Sequence, residues 1–125
     1  MRIVLAHQSV APIYEQIKEQ IKESVLSGDM LENELLPSIR QLARDLKVSV
    51  ITTTRAYNDL ELEGFIQTVP GKGCYVKRVD KDLIRMKYLA DTKSTLATAV
   101  KQGKIAGLEM PELHKLLDEM GEEAK

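Results

Sequence analysis

The chain has 125 residues, 43% of them hydrophobic and 30% charged, a balance that suits one compact domain or a small domain with an appendage. A formal net charge of −1 argues against a polycation that coats nucleic acid non-specifically, and the single cysteine, Cys74, excludes an intrachain disulfide or a cysteine-rich metal site. The apolar run within Met1 to Gln8 is too short for a signal peptide and no stretch is long enough to span a bilayer, so a soluble, cytoplasmic protein is expected.

Residues 1–10 carry little pattern and read as a short arm. Pro12 is suited to a first helical turn; Ile13, Ile17, Ile21 and Val25 then fall on one stripe, with Gly28 as the C-terminal cap. A loop from Asp29 to Leu36 leads to Pro37. The Ser-x-x-Gln pattern of Ser38 and Gln41 predicts a capping box, opening a short second helix with Ile39, Leu42, Ala43 and Leu46 inward. Ser49 caps a third helix from about Val50 to Glu63 with Thr53, Ala56, Tyr57 and Leu60 inward, stopped by Gly64.

Beyond Gly64 the period becomes alternating. Residues 65–69 and 74–79 predict two strands joined by Pro70-Gly71-Lys72-Gly73, a hairpin with a cation at its tip. A long helix from about Lys81 to Gln102 follows, placing Leu83, Met86, Leu89, Ala90, Leu96, Ala97 and Val100 along one broad side, with Gly103 and Gly107 marking its end. Met110-Pro111 opens a last helix with Leu113, Leu116, Leu117 and Met120 on one face, before a polar, acidic tail from Gly121. Two such amphipathic helices cannot bury themselves fully and need a partner surface. The predicted class is mainly α with a small β-hairpin wing. A winged helix-turn-helix over residues 10–78 precedes a two-helix dimerisation segment over residues 80–125.

A helix that enters the major groove needs an apolar rear and a short, polar or β-branched N-terminal outer face. The segment Ser49-Val50-Ile51-Thr52-Thr53-Thr54-Arg55 has that character. Ser49 and Thr52 suit phosphates, Val50 or Thr54 base edges, and Arg55 either a guanine or a phosphate. Arg40 stands in the first turn of the preceding helix, beside the cap residue Ser38, and Gly71, Lys72 and Gly73 form a tip suited to the adjacent minor groove. From Ser38 to Arg78 seven cations face four acids, a local +3. Singly, each feature has a plainer explanation as a cap, a turn or a solvated charge. Together they stand in the order and spacing of a winged helix.

Other chemistries find less support. His7 and His114 are far apart with no ligand cluster, so no metal or cofactor is expected, and Cys74 suits packing. No phosphate loop or nucleophile–base pair is visible, so the chain is not expected to be an enzyme. A module whose winged helix binds protein instead of DNA is the alternative class, disfavoured by Arg40 and the cationic wing.

Five stretches carry a family resemblance: Pro12-Ile13-Tyr14-Glu15-Gln16-Ile17, Leu36-Pro37-Ser38-Ile39-Arg40-Gln41-Leu42-Ala43, Val48-Ser49-Val50-Ile51-Thr52-Thr53-Thr54-Arg55-Ala56-Tyr57, Leu60-Glu61-Leu62-Glu63-Gly64-Phe65-Ile66 and Gly71-Lys72-Gly73-Cys74-Tyr75-Val76. Residues 12–78 resemble the winged-helix domain of GntR-type bacterial regulators, and the short tail resembles the YtrA-like subfamily. The resemblance implies a dimeric repressor on an inverted-repeat operator of double-stranded DNA, with a transporter operon as its target. It assigns the DNA contacts to Arg40, the start of the third helix and the Gly71–Gly73 wing. Many members carry arginine at the positions of Val50 and Thr54, so here base readout is expected to rest on Arg55, apolar contacts and DNA shape. Two short helices offer little room for an effector pocket of about 300 Å³, which leaves a dimer groove as the place for any small-molecule effector.

Overall fold

Helix α1 (Ile13–Ser27) presents Ile17, Ile21 and Val25 on one face, and all three are buried in the computed structural model, which describes residues 2–124. The helix ends at Gly28, whose left-handed φ of 88° is open to glycine without strain. Helix α2 (Ile39–Leu46) is capped by Ser38, whose hydroxyl accepts from the Gln41 N–H at 3.0 Å. Only half of the expected capping box forms, because the Gln41 side chain turns forward to donate to Asp45 at 2.8 Å. Lys47 then adopts the left-handed conformation, and Ser49 caps helix α3 (Val50–Leu62). Two residues, Val48 and Ser49, therefore separate that reversal from α3.

Two side chains lock this turn. Thr53, fully buried, donates its hydroxyl to the Ile39 carbonyl at 3.0 Å. Tyr57, 2% exposed, donates to the Pro37 carbonyl at 2.6 Å. Burial, helped by the nearby Cys74, raises the Tyr57 phenol well above its usual range, so it remains a donor at any ordinary pH. Tyr57→Phe is expected to lower stability by about 1 kcal/mol without changing the urea m-value, as measured by denaturant unfolding.

Strands β1 (Ile66–Val69) and β2 (Gly73–Val76) pair antiparallel with Ile66 opposite Val76 and Val69 opposite Gly73. Pro70 and Gly71 occupy the turn, Gly71 at φ 77°, and the Lys72 N–H closes it on the Val69 carbonyl at 2.9 Å. Both strands are shorter than the alternation suggested. Past Val76 the ladder retains one bond, from the Lys77 N–H to the Phe65 carbonyl.

The loop before Pro37, as expected, forms no strand, but it runs beside β2 and is hydrogen-bonded to it. The Asn33 N–H donates to the Val76 carbonyl, the Val76 N–H to the Glu34 carbonyl and the Leu36 N–H to the Cys74 carbonyl, at 2.8, 2.9 and 2.9 Å. Leu35 bridges Tyr75. Ile17, Ile21, Ala56, Leu60, Ile66 and Val76 close the core where α1, α3 and the wing meet.

A buried cation ties α1 to the end of α3. Lys22 lies over the Phe65 ring, 5.5 Å from its centroid, and its ammonium bonds Glu63 at 2.5 Å with Glu19 at 3.5 Å. Lys18 reaches Glu63 at 3.4 Å and Asp59 at 3.8 Å. Partial burial alone would push the Glu63 carboxyl up. The hydrogen bond and charge of Lys22, joined by Lys18, outweigh it and hold the carboxyl below its ordinary range.

The arm before α1 is extended and fastened to it by two glutamines. Gln20 accepts from the Val4 N–H at 2.9 Å and donates to the Val4 carbonyl at 2.7 Å. Gln16 does the same for Ala6, at 2.8 and 2.9 Å. Four helical residues rise about 6 Å and two strand residues about 6.6 Å, so residues two apart on the arm meet residues four apart on the helix.

The contacts divide the chain at Asp80/Lys81 into two compact units. The second holds α4 (Lys81–Ile105) and α5 (Met110–Glu123). Helix α4 runs through Gly103 instead of ending at Gln102. Gly103 is buried, and a β-carbon there would stand 2.8 Å from Leu113 Cδ2, so its glycine serves close approach of the two helices. The reversal falls at Gly107, φ 80°, and Glu112 reaches back to the Glu109 N–H at 3.3 Å to start α5, which extends through much of the expected tail. No helix among the described residues is long and apolar enough to cross a membrane.

Candidate nucleic-acid interface

Two helix N-termini and the wing tip provide the elements of the expected footprint. At the start of α2, Ser38 has committed its hydroxyl to its own helix, leaving the Ile39 and Arg40 N–H groups without an intrahelical acceptor. Arg40 is exposed, with no hydrogen bond or ion pair among the described residues. Arg44, one turn on, is engaged by Gln41 at 2.6 Å.

At the start of α3, Ser49 Oγ accepts from the Thr52 N–H at 3.2 Å and lies 2.9 Å from Thr52 Oγ1. These two hydroxyls are matched to each other and to the cap, while the N–H groups of Val50 and Ile51 have no acceptor among the described residues. Thr54 is half-buried. Val50 is 46% exposed and Ile51 81%, a bare aliphatic pair on the outer surface of the first turn. Ile51 was not among the expected contact residues. The signal for it was available, since helical spacing puts Ile51 opposite the inward set Thr53, Ala56, Tyr57 and Leu60.

Arg55 is not a free arm. Its guanidinium stacks 3.8 Å from the centroid of the Tyr14 ring, and the two line a depression of about 420 Å³ with Pro12, Ile13, Ile51 and Thr52. This placement joins α1 to the foot of α3.

The wing tip exposes Gly71, Lys72 and Gly73, and the Lys72 side chain makes no polar contact among the described residues. The Tyr75 hydroxyl braces the tip by donating to the Lys72 carbonyl at 3.3 Å. Gly73 has a further reason to be glycine: φ is 116° and a β-carbon would lie 3.1 Å from Leu35 Cδ1. Lys77 and Arg78 are exposed beyond β2.

In the second unit the expected interface residues remain uncovered. Leu83, Met86, Leu89, Ala90, Leu96, Leu116, Leu117 and Met120 are exposed, Val100 and Leu113 half-buried. Among them Leu96, Val100, Leu113, Leu116, Leu117 and Met120 line an apolar groove of about 560 Å³ between α4 and α5. Little room was expected between two short helices. The close contact at Gly103 fixes one end of the pair, and the groove opens beside it. Among the described residues no group of His, Cys, Asp and Glu could hold a metal ion. Cys74 is half-buried, its sulfur 3.4 Å from Thr68 Oγ1.

Two helices joined by a tight turn, the second with an open first turn and followed by a braced wing, define a winged helix-turn-helix protein. Residues 13–76 match the family described as bacterial regulatory proteins of the gntR family, and the chain belongs to that family. It is 35% identical over 118 residues to the HTH-type transcriptional repressor YtrA of Bacillus subtilis strain 168, covering 94% of this chain and 91% of the relative. A structure titled as a transcriptional antiterminator from Listeria monocytogenes EGD-e superposes with a TM-score of 0.78 at 36% identity, over 97% of this chain and 90% of that one. AraR(DBD) in complex with operator ORX1 superposes with a TM-score of 0.54 at 26% identity, over 61% of this chain and 95% of that one.

Proposed function

We propose that the protein is a cytoplasmic transcription repressor that binds an inverted-repeat operator in double-stranded DNA as a homodimer. The observation that carries the proposal is the placement of two uncommitted cations, Arg40 and Lys72, on the two elements that precede and follow α3, whose first turn is left open. The first turn of α3 enters the major groove, the α2 N-terminus and Arg40 hold phosphates, and Lys72 lies along the adjacent minor groove. Stacked on Tyr14, Arg55 serves a phosphate at the flank of α3 in place of a base edge. Ser38, Ser49 and Thr52 shape the two helix starts, Gly71 and Gly73 let the wing tip approach closely, and Val50 and Thr54 face the bases.

Dimerisation falls to α4 and α5. Their exposed leucines and methionines need cover, and a second copy of the same face supplies it. The AraR(DBD)–operator complex supports an operator as the partner. The bulk charge of −1 implies that the DNA contact is local, made by a few cations on one face.

Selection of bound sequences from random duplexes tests the reading. An inverted repeat is expected, its half-site centres about 34 Å or a multiple apart. For Arg40→Ala, the slope of log affinity against log salt is expected to fall by about 1 per protomer, hence about 2 per dimer. Absence of binding to any duplex at low salt overturns the proposal and favours a protein partner for the winged helix.

A further inference from the structure

We infer that Val50 and Ile51 read the C5-methyl groups of thymine in the major groove, so that each half-site is specified in part by A·T pairs at the steps under the first turn of α3. The inference rests on the proposed DNA binding and adds what the helix recognises. It starts from what that turn lacks. Ser49 and Thr52 are occupied by each other and by the helix cap. Arg55 stacks on Tyr14, one turn further along the helix. Thr53 is buried and bonded to Ile39. On the first turn, residues 50–53, no side chain carries the fork of donors that guanine recognition uses.

What the turn does offer is aliphatic. Ile51 and Val50 are adjacent, β-branched and uncovered, Ile51 pointing most directly away from the core. A scattered exposed isoleucine needs no explanation, but this pair occupies the part of the fold that approaches the groove floor. Among the edges exposed in the major groove, the apolar feature is the thymine methyl. Branching at Cβ restricts χ1, so little side-chain freedom is lost when the contact forms. The unspent N–H groups of Val50 and Ile51 and the free Arg40 leave phosphate anchoring to the backbone and to α2, which lets the aliphatic pair act on bases alone.

The test uses the full chain and the operator found by selection. Each thymine is replaced singly by deoxyuridine, which removes one methyl group and leaves every hydrogen-bonding atom in place. At one or two thymines per half-site, binding is expected to weaken by about threefold to tenfold. Ile51→Ala or Val50→Ala is expected to abolish the sensitivity at its own position. Both side chains are exposed, so the alanine variants should melt at the wild-type temperature, which separates a lost contact from a damaged fold. If no deoxyuridine weakens wild-type binding, or if both alanine variants keep the full sensitivity, the inference is overturned while DNA binding stands. If no duplex is bound at all, the proposed function fails and the inference with it.

Discussion

Leu117→Glu is expected to hold the protein as a monomer and to weaken binding to an inverted-repeat operator by about two to four orders of magnitude. The side chain is 53% exposed and lines the apolar groove between α4 and α5, so glutamate there disturbs little within one chain. Its cost arises on association, when a carboxylate would have to leave water for an apolar contact. The second unit, in which Gly103 is the buried residue among those described, has a small core, and the proposed dimer would cover its exposed face. A dimer binds its second half-site as an intramolecular step at high effective concentration, and the monomer loses that gain. Sedimentation velocity, with titrations of the full operator and of a single half-site, checks both parts. Wild-type and variant should bind the isolated half-site alike, and a variant that remains dimeric rules out these helices as the interface.

Glu63→Ala is expected to destabilise the winged unit by about 3 kcal/mol, and Lys22→Met by no more than about 1 kcal/mol. Removing the carboxylate takes the shortest ion pair from a lysine whose side chain is 6% exposed and leaves it the longer contact to Glu19 at 3.5 Å. Removing the lysine leaves Glu63 still paired with Lys18 at 3.4 Å and places an apolar chain against Phe65. The effect has a sign in pH. Because the folded Glu63 carboxyl is held below its ordinary range, its stabilisation is complete above that range and is lost as pH falls through the lowered value. Urea unfolding at neutral pH should therefore separate wild type from Glu63→Ala, and the gap should close as the solution is acidified.

Helix α1, the turn between α2 and α3, and the hairpin were legible because each repeats a pattern or carries its own punctuation. The Ile17, Ile21, Val25 stripe and the caps Ser38 and Ser49 are local signals, and the structure uses them as local signals. What was missed depends on partners far along the chain. The hydrogen bonds of residues 33–36 form because Cys74 and Val76 lie beside them, and nothing in the composition of that loop marks them. Gly103 has the appearance of a helix stop, yet its reason is Leu113, on the next helix. Gln16 and Gln20 looked like ordinary polar positions until the arm lay against them.

The interface divides the same way. Arg40, Lys72 and the glycines of the wing tip are expected contacts by residue type and position, and all are exposed. Arg55 was expected to choose between guanine and phosphate. Only the position of Tyr14, 41 residues earlier in the chain, decides where its guanidinium rests. The exposed Ile51 shows the limit of residue type as a guide, since an isoleucine suggests core before it suggests a contact.

The bonding of the loop before Pro37 to β2 has a mechanical consequence. Asn33 to Leu36 are bonded to β2, the next carbonyl, of Pro37, receives the Tyr57 hydroxyl from α3, and Ser38 caps α2. Six consecutive residues thus join the wing, the groove-facing helix and its supporting helix, with no slack between them. On DNA such a frame is a caliper with its jaws set. The span from the first turn of α3 to Lys72 admits a duplex whose major and minor grooves lie at the matching separation, and a duplex twisted away from that gauge must be deformed before it fits. Local twist and groove width would then select among sites at positions that no side chain touches.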